Sequence, residues 1–169
     1  MLDASPLAAL GRVSSRVSLP DGLIHTAASS AHEIRGRPGC ADLLGTGSSE
    51  GSLLKVHSIV LTGEAAETAI FQHLRKLARS PTADLGEHEA IALLASRVEL
   101  QDLVFVSQDK RAITLALNEL GRSRVATPYD CWQDLHDRRH LGDEDREHLF
   151  QLIEKNDPSL CRPRRLSQL

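Results

Sequence analysis

The stretch ADLGEHEAIALLA, residues 83–95, sets two carboxylates, Glu87 and Glu89, two positions apart at the head of an apolar run. On a helix of 3.6 residues per turn such neighbours diverge by about 200°. With Glu87 at the origin and about 100° per residue, Ile91, Leu94 and Val98 fall within about 40° of it, and Glu89 lies nearly opposite. Glu87 is therefore expected along the buried stripe, and Glu89 toward solvent or a rim. Asp84-x-x-Glu87 is also a capping-box-like spacing, and a carboxylate suits the positive end of a helix, so Glu87 has a structural use as well.

Two further acids sit where a chemical site would need them. Asp3 ends the first extended piece, and Asp109 follows the apolar run DLVFVS (102–107). Each could cap the next helix. Carboxylates converging on one sheet edge repel one another, and a cation between them removes that cost. Oxygen-only ligands suit Mg²⁺ or Mn²⁺, and such a metal can activate water and stabilise a phosphodiester transition state.

Strand and helix patterns alternate along the chain. Residues 1–3 form a very short strand, and Ser5-Pro6 opens a helix with Ser5 as N-cap. RVSLP (16–20) reads as a second extended piece, 21–36 as a helix, and the Gly/Ser-rich 36–52 as a flexible loop. VHSIVL (56–61) is a β-branched strand, and 64–80 is an amphipathic helix followed by Pro81. The helix of the quoted acids should run to about Leu100. Strand 102–107, helix 109–120, strand 124–127 and helices near 129–139 and 143–155 complete the pattern. The fold class is α/β, with a mostly parallel central sheet and helices on both faces; such sheets carry their sites at the carboxyl ends of the strands.

A chain of 169 residues, 41% apolar and 25% charged, reads as one soluble globular domain. Its net charge of −3 argues against indiscriminate nucleic-acid binding, though not against a local basic patch. Cys40, Cys131 and Cys161 are widely spaced and form no Cys-x-x-Cys pair, which fits a reducing cytoplasm better than a disulfide framework. No apolar run is long enough to span a membrane, and MLDASPLAAL does not read as a signal peptide.

Three stretches in order, LDAS (2–5), ADLGEHEAIALLA (83–95) and VFVSQDKRAITLAL (104–117), resemble the PIN-domain ribonucleases, with LLKVHSIVL (53–61) similar to the strand that family places before its middle helices. The resemblance implies a three-layer α/β/α sandwich over residues 1–155, a basic tail over 156–169, and an acidic quartet binding Mg²⁺ or Mn²⁺. Asp3 matches the first acid and Ser5 its supporting hydroxyl. Glu87 matches the third, with Glu89 as a competing alignment. Asp109 matches the fourth, preceded by Ser107 where Thr is common. Glu33 is the candidate for the second acid. The partners implied are an RNA substrate, an antitoxin protein and a second copy of the chain in a homodimer, with no membrane association. The alternative is a PIN-like scaffold that binds RNA or protein without cutting, and a third reading is an unrelated doubly wound domain whose acids only cap helices.

Other signals carry less. GTGSSEG (45–51) fits no phosphate-loop spacing. His136 and His140 lie four apart, as metal ligands can, but no third ligand accompanies them. Lys110 and Arg111 follow Asp109 directly and are placed to contact an RNA phosphate backbone. No aromatic platform for stacking bases accompanies them.

Overall fold

The structure is a computed structural model that describes residues 1–14, 17, 19–20, 23–44, 54–59, 66–78 and 80–156. It is mixed α/β with two small parallel sheets. Strand β1 (Ile24–Ala27) pairs with β2 (Leu54–His57), and β3 (Phe105–Val106) pairs with β4 (Val125–Ala126). Met1–Asp3 lies between the two pairs. The Asp3 amide donates to the Val106 carbonyl, the Val106 amide to Met1, and the Leu2 amide to His25 of β1. The Thr26 hydroxyl adds a bond to the Leu2 carbonyl at 2.9 Å.

The helices are α1 (Ala4–Gly11), α2 (Ala28–Ile34), α3 (Cys40–Leu44), α4 (Ala66–Lys76), α5 (Leu85–Ser96), α6 (Lys110–Leu120), α7 (Pro128–Asp137) and α8 (Asp143–Asn156). Side chains along a strand alternate between its faces. Leu2, Ile24 and Val106 accordingly enter one core with Leu7, Leu10, Trp132 and Leu149, while Met1, Ala27, Phe105 and Val125 enter a second with Ile91, Leu94 and Ile113. The first cluster draws on α1, α7 and α8, and the second on α5 and α6. None of the described helices is long and apolar enough to cross a membrane.

Several sequence expectations are corrected. Residues 21–36 are not one helix: 24–27 form β1, and only Ala28–Ile34 is helical. Thr26 is fully buried and bonded to Leu2, so pairing with distant chain outweighs the local helical pattern. Val17, Leu19 and Pro20 belong to no strand, and Arg16 and Ser18 lie outside the described residues. The expected loop 36–52 contains α3, and its part from 45 onward also lies outside them, as does the tail beyond Asn156. The N-cap of α1 is Asp3 rather than Ser5. Helix α5 ends at Ser96, and Val98, assigned to its buried stripe, is 75% exposed in the following 3₁₀ turn.

Candidate active site

Asp3 is brought to the centre by the N-terminal segment and is only 4% exposed. Its Oδ1 accepts the Ala4 amide at 2.6 Å and caps α1. Its Oδ2 accepts the Ser107 hydroxyl at 2.9 Å, and Ser30 of α2 reaches Oδ1 at 3.5 Å. The Ser107 Oγ also accepts the Asp109 amide at 3.1 Å, so one hydroxyl at the end of β3 ties the first acid to the last. Asp109 caps α6, its Oδ1 accepting the amides of Arg111 at 2.7 Å and Ala112 at 3.0 Å.

Glu87 arrives from the first turn of α5, which packs against α2 through Gly86. A Cβ there would stand 2.3 Å from the Ser30 Oγ and 3.1 Å from the Ser30 backbone nitrogen. The missing side chain lets α5 close onto Ser30, whose hydroxyl reaches Asp3. Asp84 occupies the N-cap position with φ 57° but makes no side-chain cap bond. The expected capping box is therefore absent, and the Asp84 carboxylate turns to Arg111, Oδ2 to Nη1 at 3.4 Å. Glu33, on the exposed side of α2, pairs with Arg37 at 3.0 Å.

The electrostatics join these acids. Burial pushes the Asp3 carboxyl up to about 6; the Ala4 amide and the Ser107 hydroxyl oppose the rise, and the charges of Glu33 and Asp109 add to it. Burial likewise pushes Glu87 up to about 7, with Asp3, Asp84 and Glu33 adding to the rise and its own amide opposing it. A cavity of about 500 Å³ opens beside Glu87, with Ser29, His32, Glu33, Thr82 and Asp84 on its walls.

Glu89 does not face solvent. It is 7% exposed and accepts the amides of Ser29 at 2.8 Å and Ile59 at 3.2 Å, clasping the start of α2 to the chain after β2. The helical wheel does not hold here because the middle of α5 has no solvent side: His88, Glu89, Ala90, Ile91, Ala92, Leu93 and Leu94 are all buried. Ser5 lines a different cavity, and Ser30 takes the hydroxyl position beside Asp3. Locating β1 at 24–27 would have pointed to Ser30. The Arg111 guanidinium is engaged by Asp84 and the Leu77 carbonyl, whereas Lys110 is exposed. His136 bonds Asp143 at 2.9 Å, away from the acids.

The donor set of Asp3, Glu33, Glu87 and Asp109 is all carboxylate oxygen, the chemistry of a Mg²⁺ or Mn²⁺ site. Among the described residues, buried Asp3 is bonded to neutral donors, and burial, with the charges of Glu33 and Asp109 adding to it, raises its pKa, an environment that a cation would relieve. Among the described residues, no three acidic, histidine or cysteine side chains stand in a ready coordination shell. The chain matches no protein-family model, no curated protein and no solved structure.

Proposed function

We propose that the chain is a PIN-like ribonuclease, a three-layer α/β/α sandwich that hydrolyses RNA phosphodiesters with a divalent metal. One observation carries the reading: the Ser107 hydroxyl donates to the Asp3 carboxylate and accepts the Asp109 amide, linking residues more than a hundred positions apart at the ends of parallel-paired segments, and the Asp3 charge acts on Glu87. Capping accounts for one oxygen of Asp3 and one of Asp109. It does not account for the other Asp3 oxygen, held by the Ser107 hydroxyl in a carboxylate whose pKa is raised first by burial and further by the charges of Glu33 and Asp109.

Asp3, Glu87 and Asp109, with Glu33, would hold one or two Mg²⁺ or Mn²⁺ ions. When bound, the metal supplies a water activated for in-line attack and charge to stabilise the phosphorane-like transition state. Ser107 fixes the Asp3 carboxylate, and the amides of α6 fix Asp109, so neither must reorganise during reaction. The cavity beside Glu87 and His32 receives the nucleotide. Water's oxygen bonds to phosphorus, the bond to the 3′-oxygen breaks and that oxygen takes a proton, leaving a 5′-phosphate and a 3′-hydroxyl. By the same resemblance the chain would be the toxin of a toxin–antitoxin pair and would form a homodimer, and its widely spaced cysteines fit a reducing cytoplasm.

The second reading is a PIN-like module that binds without cutting. The ion pair of Glu33 with Arg37 favours it, because it occupies the candidate second acid. Titration with Mg²⁺ or Mn²⁺ separates the two. The ribonuclease requires a metal-dependent rise in melting temperature, absent in Asp109→Asn, together with cleavage of RNA. Metal binding without cleavage favours the binding module, and neither effect leaves the acids as caps.

A further inference from the structure

We propose that the cavity of about 270 Å³ walled by Ser5, Arg12, Arg37, Gln108 and Lys155 is a subsite for a backbone phosphate of single-stranded RNA, adjoining the acidic cluster. The proposal rests on the ribonuclease reading and names a part of that site distinct from Lys110 and Arg111.

Three cations from three elements face this one space. Arg12 is the C-cap of α1, Arg37 lies in the turn between α2 and α3, and Lys155 is in the last turn of α8. A backbone clasp holds together the two segments that carry the arginines. Gly39, at φ +76°, packs so closely that a Cβ there would stand 2.0 Å from the Gly11 carbonyl oxygen. The Ser14 hydroxyl bridges the carbonyls of Gly11 and Gly39 at 2.9 and 3.2 Å. Both guanidiniums act on the buried Cys40 thiol beneath, pulling its pKa down against the rise that burial causes. Like charges held this near one another are relieved by an anion. Arg37 has Glu33 as partner, on the side toward the acids.

Three lining residues neighbour the acids along the chain or by an ion pair. Ser5 lies on α1 two residues after Asp3, Gln108 stands between Ser107 and Asp109, and Arg37 is bonded to Glu33. An RNA strand crossing Asp3 would therefore meet the cations with a neighbouring phosphate. The lining offers guanidinium, ammonium, amide and hydroxyl donors and no aromatic ring, so it suits a phosphate rather than a base.

The test is binding of a labelled single-stranded oligoribonucleotide to the full chain in EDTA over a series of salt concentrations. The comparison is with Arg12→Gln/Lys155→Gln, whose replaced side chains are exposed, and with Arg12→Lys, which keeps the charge. The double variant should bind about tenfold more weakly and lose about 0.7 from the slope of log K against log salt, as for one phosphate contact on a single strand, while Arg12→Lys keeps the slope. An unchanged slope, or no RNA binding by the wild type, overturns the proposal. Stabilisation by inorganic phosphate that needs Arg12 and Lys155, with no change in the RNA slope, makes this a free-anion site and also overturns it. Cleavage is scored separately with Mn²⁺. RNA cut by the wild type with no slope change leaves the ribonuclease and removes the subsite; a slope change on RNA that is never cut does the reverse.

Discussion

At the scale of residues, Asp3 concentrates the consequences. Its folded pKa of about 6 lies above the ordinary 3.8, so the folded state holds more protons than the unfolded state between those values, and stability falls as pH rises through them. Glu87, raised to about 7, acts in the same direction. The buried amine of Met1, lowered to about 5, and His88, lowered to about 4, act in the opposite direction, because the unfolded chain binds their protons more readily. The comparison that isolates Asp3 is therefore Asp3→Asn against wild type in EDTA. The variant should gain stability relative to wild type from pH 4 to 7.5, by about 2–3 kcal/mol in urea melts at about 1.4 kcal/mol per pKa unit. Saturating Mn²⁺ should reverse the ranking at pH 7.5 if the carboxylate is a ligand. Ser107→Ala removes the hydroxyl shared by Asp3 and Asp109. It should cost about 1–3 kcal/mol and weaken metal affinity or activity about 10–100-fold, read by thermal melts and metal titration.

At the scale of elements, the junction of α5 with α2 decides whether Glu87 reaches the cluster. Gly86→Ala would press a methyl group onto Ser30, and overpacking of this kind costs about 1–3 kcal/mol. Glu87 should then lose its raised pKa as α5 moves outward, which titration by NMR can follow. A second junction is the ion pair in which Arg97 Nε meets the Glu67 Oε2 at 2.7 Å and Arg97 Nη2 the Ser58 carbonyl at 2.8 Å, joining α4 to the ends of α5 and β2. Removing the arginine leaves a carboxylate that is 8% exposed without its cation, so Arg97→Ala should destabilise the fold by about 2–4 kcal/mol in denaturant melts. Helices α6, α7 and α8 were legible locally. Helix α6 has Asp109 at its N-cap and Gly121 just past its end, and α8 opens on Asp143, Glu144 and Asp145. Strand β1 was not legible: Ala27 precedes α2 without a side-chain cap, so no residue marks the change from strand to helix.

At the scale of the whole molecule, Met1–Asp3 joins the two sheets and feeds both cores. Leu2 is 3% exposed, and its backbone is tied to both His25 and Val106. Leu2→Ala should cost about 2–5 kcal/mol and shift one cooperative urea transition to lower concentration; a split into two transitions would show that the sheets fold apart. The sequence by itself determined the α/β alternation, extended segments at 102–107 and 124–127 within which the paired strands 105–106 and 125–126 lie, and the placing of Asp3 and Asp109 where extended chain turns into helix. These are readable because β-branched runs, caps and glycines act over a few residues. Only the tertiary structure decided that β1 lies at 24–27, that Ser30 rather than Ser5 stands beside Asp3, and that Glu89 is a buried clasp. A helical wheel assumes one wet face, and the middle of α5, residues 88–94, is buried all round. Which of the paired acids of 83–95 stays open to a ligand therefore depends on amides at Ser29 and Ile59 that no local pattern contains.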